Sequence, residues 1–285
     1  MEFRTHTESR SSGLIEDPQA PKEAEISVRA LIRLDVLNVV EPAAGRLGQV
    51  RLRSTYEKLE ATTRTDLMDP RAASDGVQLH QLEGRSIEFT VDERGTLRDI
   101  QGLEAAFPQE QSAARDLLAQ LARGTPHPKA GIVPGQKWAS EEPMSGAMPL
   151  RGLVRRSAFT YLRDEPCRAA KITGQGKAEL VETGEMCAVI QTRSELIQQK
   201  RFRDPTPEDY RQRGLRTSGS ARGVGESLAC VSLQTHIVAS VTQSSTEETD
   251  ITVTNTDLGT RMRYTIRVRS ESKLVLLTET PLAPR

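Results

Sequence analysis

The residue types that could perform chemistry in this sequence do not fall at the spacings that known catalytic sites require. A Gly-x-Ser-x-Gly turn holds the serine nucleophile of many hydrolases, whereas the nearest sequence here, Ser218-Gly219-Ser220, is followed by Ala-Arg-Gly. Gly174-Gln175-Gly176-Lys177 and Gly223-Val224-Gly225-Glu226 lack the spacing of phosphate-binding loops, and we interpret both as turns. The sequence therefore predicts no catalytic residue.

Candidate acid-base and metal-binding groups are better explained as surface residues. Glu57 and Glu60, or Glu182 and Glu185, could pair across strands as glycosidase carboxylates do, but only 4% of the residues are aromatic, too few for a sugar-stacking cleft. None of the four histidines stands at metal-ligand spacing from another histidine or from a cysteine. We expect neither a metal site nor a cofactor.

Arginine clusters interleaved with aromatic residues raise the alternative of a surface for single-stranded nucleic acid. One cluster, Arg261, Arg263, Arg267 and Arg269, surrounds Tyr264. The formal net charge is zero, with 39 basic and 39 acidic residues, and this balance favours arginines paired with glutamates on a wet sheet face. We therefore expect no nucleic-acid partner.

The three cysteines, Cys167, Cys187 and Cys230, leave two interpretations open. They could be small, half-buried strand residues. Alternatively, Cys167 and Cys187 could form a disulfide if a short return joins their strands, which would require an oxidising compartment.

The elements that must position these residues are mainly strands. Between Gly84 and Trp138, an alternating apolar pattern predicts a hairpin, which a helix and a proline- and glycine-rich loop follow. Apolar residues at helical spacing predict one long helix over Gly102–Arg123, which ends at Gly124. The order of these elements is typical of an antiparallel α+β fold.

The remaining sequence reads as long strands, several of ten residues or more. We predict an α+β, mostly β fold, in which a long-stranded curved antiparallel sheet (a half-barrel or open barrel) carries one long helix on its concave face. Residues 1–24 are predicted to be a disordered leader or linker, and residues 25–280 a single β-rich domain. No stretch approaches the roughly 20 apolar residues of a transmembrane helix, and residues 1–26 contain no apolar signal region.

Two short motifs carry a resemblance to known proteins. The run Gly84-Arg-Ser-Ile-Glu-Phe-Thr-Val-Asp-Glu-Arg-Gly95 and the later Pro134-Gly135-Gln136-Lys137-Trp138 resemble uncharacterised families of exported bacterial proteins and lipoproteins. Those domains are similar in outline to the lipoprotein-carrier type, whose curved sheet holds acyl chains beneath a helix. The resemblance implies a periplasmic or envelope location and an apolar ligand or an envelope protein partner.

These observations predict a non-enzymatic binding domain that holds a lipid or other apolar ligand between sheet and helix. The predicted cleft is lined by Ile87, Phe89, Val91, Leu117, Leu118, Leu121 and Trp138. The alternative is that the same residues simply form the core. A second hypothesis is a scaffold or interaction module that uses its edge strands and the charged excursion of residues 199–216. The residues favour an enzyme least.

Overall fold

A computed structural model of the chain provides the fold. It describes residues 2–12, 22–41, 43, 48–65, 83–92, 97–106, 131–144, 149–172, 178–199, 204–235 and 237–277.

Strands account for 78% of the described residues. The strands are β1 (Glu2–Ser12), β2 (Lys22–Val40), β3 (Gln49–Thr65), β4 (Ser86–Asp92), β5 (Leu97–Gln101), β6 (Lys137–Pro143), β7 (Leu153–Ile172), β8 (Ala178–Gln198), β9 (Leu215–Ser232), β10 (Val238–Asn255) and β11 (Arg261–Val275). The helices of the described residues are α1 (Leu103–Ala106) and α2 (Glu208–Gln212). The prediction of a mostly β, antiparallel fold with long strands is confirmed.

The chain divides into two compact units, and the single β-rich domain over residues 25–280 stays a prediction. Unit 1 contains Ile26–Lys129, and unit 2 contains Glu2–Glu25 together with Ala130–Arg285. In unit 1 the strand order is β5-β4-β3-β2. One face of these strands packs a core of Ala30, Leu59, Ile87, Phe89 and Leu103.

Unit 2 has the strand order β1-β11-β10-β9-β8-β7-β6. Its longest hairpin joins β7 to β8, with register shifts between Tyr161 and Arg163 and between Pro166 and Arg168. Its apolar side chains form separate clusters, one around Leu153 and Leu196 and another around Phe159 and Ile190. Successive residues of β11 alternate between exposed and half-buried, as expected for a strand with one wet face.

The predicted long helix requires correction. The structure describes its first part as α1, which is only 4 residues long, and the rest of the predicted helix lies outside the described residues. No described helix is long and apolar enough to cross a membrane.

The predicted disordered leader also differs from the structure. Residues Glu2–Ser12 form β1, which pairs antiparallel with β11 along its whole length, while residues 13–21 lie outside the described part. The polar composition predicts disorder, but β1 places charged residues opposite residues of opposite charge on β11, for example Arg4 opposite Glu271 and Glu8 opposite Arg267. Such cross-strand pairs stabilise a strand that lacks an apolar face.

Candidate functional site

The predicted cleft residues of β4 belong to the filled core of unit 1. Ile87 is 0% exposed and Phe89 is 8% exposed. Phe89 pairs with Leu52 of β3, and Val91 packs against the same apolar cluster. These side chains contact protein rather than an empty space.

Trp138 lies in unit 2, where its ring stacks on Phe159 with centroids 5.3 Å apart. The two residues are direct partners on β6 and β7, and they pack with Tyr161 and Ile190. Leu117, Leu118 and Leu121 lie outside the described residues. Because Trp138 and the β4 residues belong to different units, a cleft shared by all the named residues stays a prediction.

The second half of β2 exposes large apolar side chains. Leu34, Val36, Leu37 and Val39 are 56%, 61%, 38% and 60% exposed, and we call them the β2 apolar segment. Earlier on the same strand, Ala30 is 4% exposed and Ile32 packs against the unit 1 core. The apolar residues of β2 up to Ile32 therefore pack against the core, whereas the four apolar residues of the segment after Ile32 are exposed.

The β2 apolar segment is apolar on both faces of the strand. Leu34 and Val36 continue the face of Ala30 because side chains of a strand alternate. Leu37 and Val39 lie on the opposite face, which Arg33 shares. Arg33 marks the polar border of that face, with Nη1 2.9 Å from Glu57 Oε1 and Nε 3.2 Å from Asp35 Oδ2. A strand that is apolar on both faces is typical of one covered on both sides.

Carboxylates of unit 1 are held by arginines rather than presented as acids or bases. Glu88 of β4 accepts hydrogen bonds from Arg53 and Arg51, at 2.7 and 2.9 Å, and these bonds lower the pKa of its carboxyl. A general acid needs the opposite shift, in which burial raises the pKa of a carboxyl. Glu88 therefore forms ion pairs on the polar face of the sheet rather than acting as a general acid.

Unit 2 shows the same pattern. Arg222 and Arg267 both donate to Glu248 and lower the pKa of its carboxyl, while Arg263 does so for Asp250. Among the described carboxyl groups with a displaced pKa, every displacement is downward. The described residues also contain no group of three His, Cys, Asp or Glu side chains able to hold a metal ion.

The charged excursion of residues 199–216 is packed where the structure describes it. Thr206 is 0% exposed; its hydroxyl donates to the Thr217 carbonyl at 3.2 Å and accepts from the Thr217 amide at 3.0 Å. Arg211 donates to the Thr206 carbonyl, and Arg216 contacts Asp204 at 2.6 Å. Hydrogen bonds from Thr206 lower the pKa of Asp204. These contacts commit the two arginines to the excursion itself, and residues 200–203 lie outside the described chain.

The terminal strands of the two units carry features that discourage strand addition. In unit 1, β5 contains Asp99 at φ 50°, and the register of β4 with β5 shifts nearby. In unit 2, β6 ends in Glu141, Glu142 and Pro143. Charges, proline and irregular backbone all hinder pairing of an edge with another chain.

A disulfide joins Cys167 and Cys187, which settles the alternative that the sequence left open. Their Cα atoms are 5.0 Å apart on the neighbouring strands β7 and β8. Both cysteines are buried, and the free thiol of Cys230 packs against them. Burial raises the pKa of Cys230, whose sulfur lies 3.7 Å from Glu165 Oε1. The raised pKa disfavours the thiolate, so the geometry does not indicate a nucleophile.

Comparison with known proteins identifies no family. No protein-family description matches the chain, and no curated protein does. Among solved structures, one described as "lipid-protein interactions in lipovitellin" is similar with a TM-score of 0.39 and 10% identity. The match covers 99% of this chain and 26% of the lipovitellin chain, so this chain spans about a quarter of that protein. A likeness this weak carries no argument, and the resemblance to exported bacterial proteins stays a prediction.

Proposed function

We propose that this protein is a non-enzymatic binding protein that takes a lipid acyl chain, or a ligand of the same apolar character, on the β2 apolar segment. The observation that carries this proposal is the exposure of Leu34, Val36, Leu37 and Val39 on a strand whose Ala30 is buried in the core and whose Val28 and Ile32 pack against it. The proposal replaces the predicted site between sheet and helix with a site on the strand itself.

The area of the segment supports a ligand of this kind. Full burial of a valine or leucine side chain contributes about 1.5–3 kcal/mol, so covering the exposed half of one contributes about 1 kcal/mol. An acyl chain lies along one face of the strand, where it covers either Leu34 and Val36 or Leu37 and Val39, and this contact contributes about 2 kcal/mol. That contribution alone corresponds to a Kd on the order of 30 mM. Each methylene that the ligand itself buries adds about 0.8 kcal/mol. A long acyl chain can therefore bind well, whereas a short one cannot.

The charge arrangement supports a binding protein over an enzyme, because the described carboxylates with displaced pKa values are all held ionised by neighbouring donors. The disulfide supports an oxidising compartment, in line with the exported setting that the sequence motifs imply. The internal pairing of Arg211 and Arg216 and the blunted strands β5 and β6 count against the alternative of a scaffold module.

The test is a fluorescence titration of the full chain with cis-parinaric acid, an acyl chain that fluoresces when it leaves water. Val36→Asp places a charge in the proposed site. Leu258→Asp is the matched control, because Leu258 is 74% exposed in a turn of unit 2. Circular dichroism verifies that both variants keep the β-sheet content of the parent protein.

We expect saturable binding to the parent and to Leu258→Asp, and at least a tenfold weaker affinity for Val36→Asp, because about 1 kcal/mol of contact is lost and a carboxylate must also be desolvated. Saturable binding that Val36→Asp leaves unchanged would refute the location of the site. Absence of binding to the parent protein would refute the function.

A further inference from the structure

Unit 2 contains a polar cavity of about 590 Å³ that the proposed function does not use. We call it the polar cup. It is lined by Arg4, Gln191, Glu226, Ser227, Leu228, Thr242, Gln243, Ser244, Glu271, Ser272 and Lys273, which come from β1, β8, β9, β10 and β11.

Cross-strand register explains why these residues meet. Gln191 pairs with Leu228, Leu228 with Thr242, and Thr242 with Lys273, so one row of side chains crosses β8, β9, β10 and β11 on the same face. The next row on that face is Glu226, Ser244, Glu271 and Arg4. On the other side, the row of Val189 and Cys230 follows, and Val189 is 0% exposed. The buried row closes the cup at this end.

The charges of the cup are of both signs and only partly satisfied. Glu226 Oε1 lies 3.1 Å from Arg193 Nε, and Arg4 Nε lies 3.9 Å from Glu25 Oε1. Glu271 and Lys273, by contrast, have no hydrogen-bond or ion-pair partner in the described part of the chain, although both face the cavity. They stand two residues apart on β11, so their Cα atoms are separated by roughly 7 Å. Among the described residues, the cup therefore offers a carboxylate and an ammonium without a hydrogen-bonded partner, side by side on the exposed face of β11.

We propose that the polar cup binds a small zwitterion that carries a primary ammonium and an anionic group a few ångströms apart. The ammonium donates to Glu271, which stands opposite Arg4 of β1, and the anion accepts from Lys273. A ligand of this kind spans the gap because each charge-assisted hydrogen bond covers about 2.8 Å. Thr242 and Ser244 of β10 line the cup opposite Lys273 and Glu271. A free α-amino acid and the phosphoethanolamine headgroup of a phospholipid share this chemistry.

The lining disfavours other ligand classes. No aromatic side chain lines the cup, so the stacking surface that nucleobases need is missing. A single apolar side chain, Leu228, faces it, which is too little for an acyl chain. The site belongs to unit 2 and shares no residue with the β2 apolar segment of unit 1, so the proposal can be tested independently of the proposed function.

The test is amide chemical-shift mapping of the full chain with four probes: glycine, phosphoethanolamine, acetate and ethylamine. The zwitterions carry both charges, whereas acetate and ethylamine carry one each. Glu271→Gln and Lys273→Gln remove the charges of the cup. The double variant Lys171→Gln/Glu179→Gln is the control, since these residues are an exposed pair of opposite charge on β7 and β8, outside the cup.

We expect saturable shifts of β9, β10 and β11 amides with at least one zwitterion, and roughly tenfold weaker binding to Glu271→Gln and to Lys273→Gln, as loss of one charge-assisted bond predicts. The control variant should bind like the parent. Saturation with glycine identifies an amino-acid site, and saturation with phosphoethanolamine alone identifies a headgroup site. The proposal is overturned if neither zwitterion saturates these shifts, if acetate or ethylamine binds equally well, or if the control loses as much affinity as the cup variants.

Discussion

Loss of the Cys167–Cys187 disulfide should lower the stability of unit 2 by an amount that the chain itself sets. The bond closes a loop with a sequence separation of 20. In the chain-entropy treatment, a loop of this length removes about 11 cal/mol/K from the unfolded ensemble, which is about 3 kcal/mol at 25 °C. The double variant Cys167→Ala/Cys187→Ala should lose about this much free energy of unfolding.

Urea unfolding followed by Trp138 fluorescence measures this loss in the correct unit. Trp138 is the single tryptophan of the chain, and it is stacked on Phe159 within unit 2. With a urea m-value of about 2 kcal/mol/M, the unfolding midpoint should fall by about 1.5 M. Cys230→Ala is the control, because it removes the free thiol and leaves the disulfide in place. Its midpoint should change much less.

Two results would refute this reasoning. Alkylation of the unreduced, denatured protein should modify one cysteine, and modification of all three would show that the disulfide does not form. A midpoint that the double variant and chemical reduction both leave unchanged would show that the bond does not constrain the unfolded chain as its loop length requires.

The other predictions concern a close backbone approach and two titrating groups. Gly219→Ala should lower the free energy of unfolding by about 3 kcal/mol or more, because an added Cβ would lie 2.0 Å from a carbonyl oxygen of β10. Gly184 also has a positive φ, but an added Cβ there meets open space, so Gly184→Ala should lower the free energy of unfolding by only about 1 kcal/mol. Equal losses of the two variants in urea unfolding would contradict this. Burial and the neighbouring aspartate raise the pKa of Tyr161 to about 12. An absorbance titration should therefore show one tyrosine that ionises near this pH, and this transition should be absent in Tyr161→Phe. Since the unfolded pKa is lower, the stability due to Tyr161 should be complete below about pH 10 and fall as pH rises towards 12. The pKa of Glu248 lies below its ordinary value of 4.5, so the stability that the ionised carboxylate contributes should be present above pH 4.5 and lost in more acidic solution. Arg267→Gln should raise the pKa of Glu248, as measured by a carboxyl NMR titration. An unchanged pKa in this variant would contradict the pairing of Arg267 with Glu248.

Alternation of side chains made the strands of this protein predictable from the sequence. Strand β11 shows the principle, since Arg267 and Arg269 are exposed, whereas Ile266 and Val268, which alternate with them, are half-buried. The described residues contain two short helices rather than the one long helix predicted; Leu103–Ala106 is helical, and residues 107–123 lie outside the described part. Strand β1 was missed because its stabilising partners lie on β11, more than 250 residues later.

The candidate sites depended on information that a single sequence does not contain. Alternation placed Leu34 and Val36 on the same face as Ala30, but it could not show that burial ends at Ile32. For the polar cup, the register of β8, β9 and β10 decides that Gln191, Leu228 and Thr242 stand in one row. Only the disulfide was visible in advance, as one of two alternatives for the cysteines.

Photocrosslinking with a diazirine-bearing fatty acid, followed by peptide mass spectrometry of the full chain, tests whether the β2 apolar segment is the ligand-binding surface. We expect labelled residues within Leu34–Val39, and loss of that label in Val36→Asp. Labelling spread evenly over the chain, or concentrated on strands of unit 2, would contradict it.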